Sequence, residues 1–250
     1  MADLNRRYAQ GTIGRAETGV IDQGLRAYML RVYNYMAVGV AITGLVAYLT
    51  FAMAVTQTDG GLQLTSFGTF IFASAFKWVV IFAPLAMVFL ISARINSMSL
   101  SGAQLAFWVF AGLMGLSLSS IFLVYAHASI ARVFFITAAS FGALSLYGYT
   151  TNRDLSAWGS FLFMGLIGII LAMLVNLFLA SSALQFAISV VGVLIFAGLT
   201  AYDTQQIKEM YYVGDDGTVA GRKAVMGALR LYLDFINLFM MLLQLFGDRR

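Results

Sequence analysis

Cysteine is absent from the chain, and histidine and proline occur once each, as His127 and Pro84. Without cysteine there is no disulfide framework, no thiolate nucleophile and no cysteine metal site. One histidine leaves no multi-histidine metal or redox centre. Charge is scarce too: Asp, Glu, Lys and Arg make up 10% of the 250 residues, while 61% are hydrophobic. A soluble domain carries about 25% charged residues. Apolar surface in this excess cannot be hidden in one soluble core, whereas a bilayer serves as its solvent. The opening stretch, MADLNRRYAQGTIGRAETGVIDQGLRA, is polar and mixed. It lacks the charged, apolar and small-residue order of a secretory signal.

What the chain does have is long apolar runs. A helix needs about 20 mostly apolar residues to cross the hydrocarbon layer. Seven runs qualify: 28–54, 70–92, 103–125, 130–150, 158–179, 184–207 and 224–246. Polar joints such as TQTDGGLQLTS, RINSMSLSG, TTNRDLS and YVGDDGTVAGRK separate them, with two short joints near His127 and Ser181–Ser182. No alternating pattern suggests membrane-spanning strands. The reading is an all-α membrane protein, with an N-terminal tail over 1–27 and a seven-helix transmembrane domain over 28–250. Pro84 predicts a kink in the second span. Small-residue stripes, Gly112–Gly115–Ser119 and Gly165–Gly168, predict close helix packing. Trp78, Trp108 and Trp158 fall near expected span ends, where an aromatic belt belongs.

The basic residues indicate orientation. Arg6, Arg7, Arg15 and Arg26 lie in the tail, Arg94 in the second joint, Arg153 in the fourth, and Lys208, Arg222 and Lys223 around the sixth. The first and fifth joints have no Lys or Arg. A cytoplasmic N-terminus puts every basic joint on the cytoplasmic side. The net charge of +4 then reflects orientation and not a nucleic-acid partner. A full seventh crossing, the expected course, leaves Arg249 and Arg250 on the far side.

An ionisable side chain inside a span is costly when unpaired, so each is a functional candidate. Arg31, Lys77, Arg132, Asp203, Arg230 and Asp234 qualify. Arg31, Lys77 and Arg132 lie near expected span ends, where long stems can snorkel to the interface. Aspartates are too short for that. Asp203 sits in GLTAYDTQQIK, toward the end of the sixth span, and Asp234 near the middle of the seventh. Arg230, Asp234, Asn237 and Gln244 share one helical face, with Met241 between the last two. Such a stripe cannot comfortably face lipid, so the seventh helix is expected to be buried or to line a watery path.

Two arrangements are open. If Asp203 and Asp234 meet in a low-dielectric site, both cannot easily ionise, and the pair shares a proton and titrates as a unit. Deprotonated, it repels itself and offers oxygens to a hard cation such as calcium. Alternatively, Asp234 pairs with Arg230 while Asp203 caps the sixth helix near water. No HExxH, GxSxG or P-loop pattern is present, and His127 reads as a surface residue. An enzyme is not expected.

GLTAYDTQQIK (Gly198–Lys208) and ALRLYLDFINLFMMLLQLFG (Ala228–Gly247) carry a resemblance to the transmembrane Bax inhibitor motif family, in its bacterial form. LRVYNYMAVGVAITG, with Arg31 and Asn34, and the spacing of seven spans fit as well. The resemblance implies six helices wrapped around a central seventh. It also implies a pH-sensitive calcium leak gated by an aspartate pair, here Asp203 and Asp234, which would make transient calcium contacts. Calcium is then the transported ion, and no cofactor is implied. Arg230, Asn237, Lys77 and Arg31 would support the pair. The family latches the pair with an arginine from the second span, whereas this chain has Lys77 there. Some bacterial relatives look like regulators or substrates of a membrane-bound protease. A membrane interaction protein without ion flux is therefore the alternative. A coupled transporter ranks last, since no internal repeat is evident. The implied location is the bacterial inner membrane.

Overall fold

The structure, a computed structural model, describes residues 2–58 and 61–250, with side chains from Gln23 onward. The polar tail expected over 1–27 falls largely outside the residues whose side chains are described. Seven long helices follow one another: α1 (Ala2–Ala54), α2 (Lys77–Arg94), α3 (Leu100–Leu118), α4 (His127–Thr150), α5 (Ser156–Leu179), α6 (Ser182–Glu209) and α7 (Gly217–Phe246). Each carries a stretch long and apolar enough to cross a membrane, which in α1 is Gln23–Ala54. The protein is an all-α membrane protein with seven spans.

The first joint holds an antiparallel hairpin, β1 (Val55–Thr58) and β2 (Gly61–Leu64), with Val55 opposite Leu64. Its residues are largely exposed, so it belongs to the water side, where free strand edges are tolerated. The second span differs from expectation. A wide helical turn, Thr69–Ala73, ends at Ser74 in extended backbone (φ −80°, ψ 174°), and α2 begins at Lys77. The Ser74 hydroxyl donates to the Phe70 carbonyl and accepts from the Phe76 amide. These local bonds compete with helix continuation. Pro84 lies buried within α2, which continues through it to Arg94.

The seventh helix is the most buried span: 72% of its apolar window is covered by protein, against 39% or less in the others. It packs on α1, α3, α4 and α6, while α2 seats on α3 and α5 on α6. Tyr232 anchors one apolar core, edge-on to Phe107 and Phe110. Leu238, Phe239, Met241 and Leu243 anchor the other, with residues of α4, α5 and α6. One glycine of each small-residue stripe serves close packing. A Cβ on Gly115 would fall 2.6 Å from the Thr43 carbonyl oxygen, and one on Gly165 would fall 2.4 Å from Ile195, whereas Gly112 and Gly168 face open space. Trp78 and Trp158 lie exposed at the starts of α2 and α5. Trp108 does not join that belt, because α3 starts at Leu100 and carries it inward against Tyr35 of α1.

The C-terminus closes on the α3–α4 joint. The Ala126 amide donates to the Asp248 carbonyl and the Arg250 amide to the Val124 carbonyl, both at 2.9 Å. Exposed His127 meets the Arg250 guanidinium there and packs against Phe51. The seventh helix therefore crosses completely and ends at the hairpin end of the bundle. At the opposite, basic end, Lys208 Nζ donates to the Tyr149 carbonyl (2.9 Å) and Arg222 to the carbonyls of Asn96 and Met98. Lys208 satisfies a carbonyl in the last turn of α4, and Arg222 those of the α2–α3 joint.

Candidate functional site

The polar stripe on α7 faces α6 and α5. Asp234, only 5% exposed, sits mid-helix, and its Oδ2 has no hydrogen-bond partner among the described residues. Asp203, half-buried on α6, brings its carboxyl alongside that of Asp234, close enough for each to act on the other. Arg230, one turn before Asp234, is exposed and within electrostatic range of both. It makes no contact ion pair with either; among the described residues the ion pairs are Lys223–Asp215 (2.6 Å) and Arg132–Asp248 (3.6 Å). The static Asp234–Arg230 pair is thus not the arrangement found.

These groups open into a cavity of about 660 Å³ in the basic half of the bundle. Helix α5 contributes Gly159 and Ser160, α6 contributes Phe196, Tyr202 and Asp203, and α7 contributes Arg230, Asp234 and Asn237. Asn237 Nδ2 is held by the Leu233 carbonyl at 2.8 Å. Most of the wall is apolar, and its charge lies in the two carboxyls and Arg230.

The other expected supporters stand elsewhere. Lys77 begins α2 at the hairpin end, with its ammonium 5.4 Å from the centre of the Trp78 ring. It therefore stands at the opposite end of the bundle from the aspartates, where its stem can snorkel. Arg31 is exposed on α1, and neither residue lines the cavity. Gln244, the last member of the stripe, lies in a second cavity at the hairpin end.

Sequence reasoning missed a chain of hydroxyls behind the site. Tyr33 on α1 reaches Ser145 on α4 at 2.7 Å, and Ser145 reaches Thr204 on α6, next to Asp203, at 2.9 Å. Single Ser and Thr residues at inward positions of apolar spans were the available signal. Two carboxylates fall short of the six to eight oxygens of a resident calcium site. No cluster of three or more His, Cys, Asp or Glu side chains occurs among the described residues.

Residues 25–250 match the family model described as inhibitor of apoptosis-promoting Bax1. The chain belongs to this Bax inhibitor family. Among its relatives, the inner membrane protein YbhL of Escherichia coli is 48% identical over 229 residues, covering 91% of this chain and 94% of that protein. The protein RP147 of Rickettsia prowazekii is 46% identical over 243 residues, 97% of this chain and 98% of its own length. A Caulobacter vibrioides protein is 43% identical over 251 residues, the whole of both chains. The Bax inhibitor match takes in the whole candidate site, from α5 through α7.

Proposed function

We propose that this Bax inhibitor family member is a pH-sensitive calcium leak of a bacterial inner membrane, gated by the Asp203–Asp234 pair. One observation carries the reading: a buried, unpartnered carboxylate oxygen on α7 lies beside a second carboxyl on α6, at the wall of a large cavity. Such a pair holds a proton between its members and joins the two helices. Loss of that proton leaves two like charges in an apolar wall and frees oxygens for a hard cation. The protonation of the pair as a unit sets the gate, and Arg230 tempers its charge. The inner-membrane location follows the likeness to YbhL. The basic end, with Arg94, Arg153 and Lys223, faces the cytoplasm, which puts the N-terminus there too.

The test is calcium flux into liposomes holding the purified chain, measured from pH 5 to pH 8. Flux whose pH dependence vanishes in both Asp203→Asn and Asp234→Asn supports the reading. No flux at any pH from well-folded protein overturns it and favours the alternative, an interaction protein acting on a membrane-bound protease.

A further inference from the structure

Two cavities lie along the same three helices, one toward each end of the bundle. The aspartate cavity is in the basic half. The other, about 360 Å³, sits at the hairpin end beneath the α5–α6 joint, lined by Asn176, Gln185, Ser189 and Gln244, with Arg249 also on its wall. Its amides form a network. Gln185 Nε2 (2.6 Å) and Ser189 Oγ (2.9 Å) both donate to Gln244 Oε1, and Asn176 Nδ2 donates to Gln185 Oε1 (3.1 Å). Membrane helices carry such groups where they pair with one another or meet water.

One face of α7 links the cavities. Asn237 lines the first and Gln244 the second, and between them lie partly buried Met240 and Met241, which is 4% exposed. Met241 seats on Gly192 of α6, where a Cβ would fall 2.7 Å from its Sδ. One turn along α6, Ile195 seats on Gly165 of α5 in the same way, with a Cβ 2.4 Å from its Cδ1. The α6–α7 contact thus lies between the cavities, and the α5–α6 contact lies one turn nearer the aspartate cavity. From Asn237 to Gln244 the helix rises about 10 Å, so the closure is thin.

We propose that the two cavities are vestibules of one cation path, and that Met241 seated on Gly192 is the apolar constriction between them. The proposal rests on the ion-leak reading of the aspartate site. Apolar constrictions gate by excluding water. An unbranched thioether suits the task, since it changes rotamer without repacking its neighbours. The outer amides, bonded to one another, keep this end of the path polar.

The absence of native cysteine makes the test direct. Asn237→Cys, Met241→Cys and Gln244→Cys are placed one at a time in the full chain, in sealed vesicles of each orientation. A charged, membrane-impermeant maleimide is added outside. Gln244→Cys is expected to react from the hairpin face and Asn237→Cys from the basic face. Met241→Cys should react at least about tenfold more slowly from either face, as an apolar, dewetted constriction requires. In parallel, Met241→Ala should raise calcium flux several-fold, while the volume-conserving Met241→Leu keeps it near the native level. Met241→Cys reacting as fast as its neighbours, or Gln244→Cys unreactive from both faces, overturns the constriction. The expected labelling with no flux in any variant, Met241→Ala included, overturns the calcium reading and with it the cation path.

Discussion

Gly148 on α4 lies against the backbone of Ala201 on α6, so closely that a Cβ there would fall 2.2 Å from the Ala201 carbonyl oxygen. A side chain could turn aside, but a helix backbone can only shift as a whole. Asp203 lies two residues beyond Ala201, so this contact sets where its carboxyl stands. Gly148→Ala is expected to cost about 1–3 kcal/mol, as overpacking does. Gly142, on the same helix, has no heavy atom within 4 Å of such a Cβ. Gly142→Ala should instead stabilise by about 0.5–1 kcal/mol through helix propensity. Thermal unfolding of both variants in detergent checks the opposite signs.

The acidic sixth joint anchors the start of α7. Asp216 Oδ1 accepts from the amides of Thr218 (2.8 Å) and Val219 (2.7 Å), and Asp215 pairs with Lys223 at 2.6 Å. Lys223 also donates to the Met210 carbonyl, which closes the joint on itself. Asp216→Ala should cost about 1 kcal/mol as a lost N-cap, while Asp216→Asn keeps most of it. Equal losses in the two variants, read from unfolding midpoints, would show that charge and not capping is the contribution.

The spans, their number and the stripe on α7 were legible because hydrophobic runs and helical spacing report directly on burial in lipid. Asp203 and Asp234 stood out because short charged side chains cannot escape a span. Their meeting was not legible, since nothing local sets the rotation of α6 against α7; Gly192 does that by seating Met241, while Gly148 sets α6 against α4. Lys77 stands at the start of α2, near the span end where its long stem was expected to snorkel, because Ser74 interrupts the run before it. The hairpin Val55–Leu64 was hidden in a joint whose glycines and polar residues read equally well as coil.

Thr43, Tyr232 and the Ala111 carbonyl tie α1, α7 and α3 together. The Tyr232 hydroxyl is 2.6 Å from Thr43 Oγ1, which is itself 2.9 Å from the Ala111 carbonyl and 3.0 Å from that of Gly39. Tyr232→Phe leaves Thr43 with carbonyls to bond, so it should cost only about 0.5–1 kcal/mol. Thr43→Val strands a fully buried phenol among Phe107 and Phe110. That should cost more, about 1–3 kcal/mol. The reverse order in paired unfolding measurements would place the main bond elsewhere.

The aspartate pair makes its own thermodynamic prediction, separate from flux. An amide can donate the hydrogen bond that a protonated carboxyl donates, so Asp203→Asn and Asp234→Asn should each keep α6 and α7 joined, at near-native stability. Alanine cannot. Asp203→Ala leaves Asp234 buried with one neighbour fewer, and should cost about 1–3 kcal/mol as an orphaned buried group. Since both alanine variants remove the same contact, their effects should not add. A double-mutant cycle is expected to give a coupling of about 0.5–3 kcal/mol, whereas independent sites add within about 0.3–0.5 kcal/mol. Coupling that is the same at pH 5 and pH 8 would mean that the contact does not depend on a shared proton. Coupling that changes between those values ties the helix contact to protonation, as a gate requires.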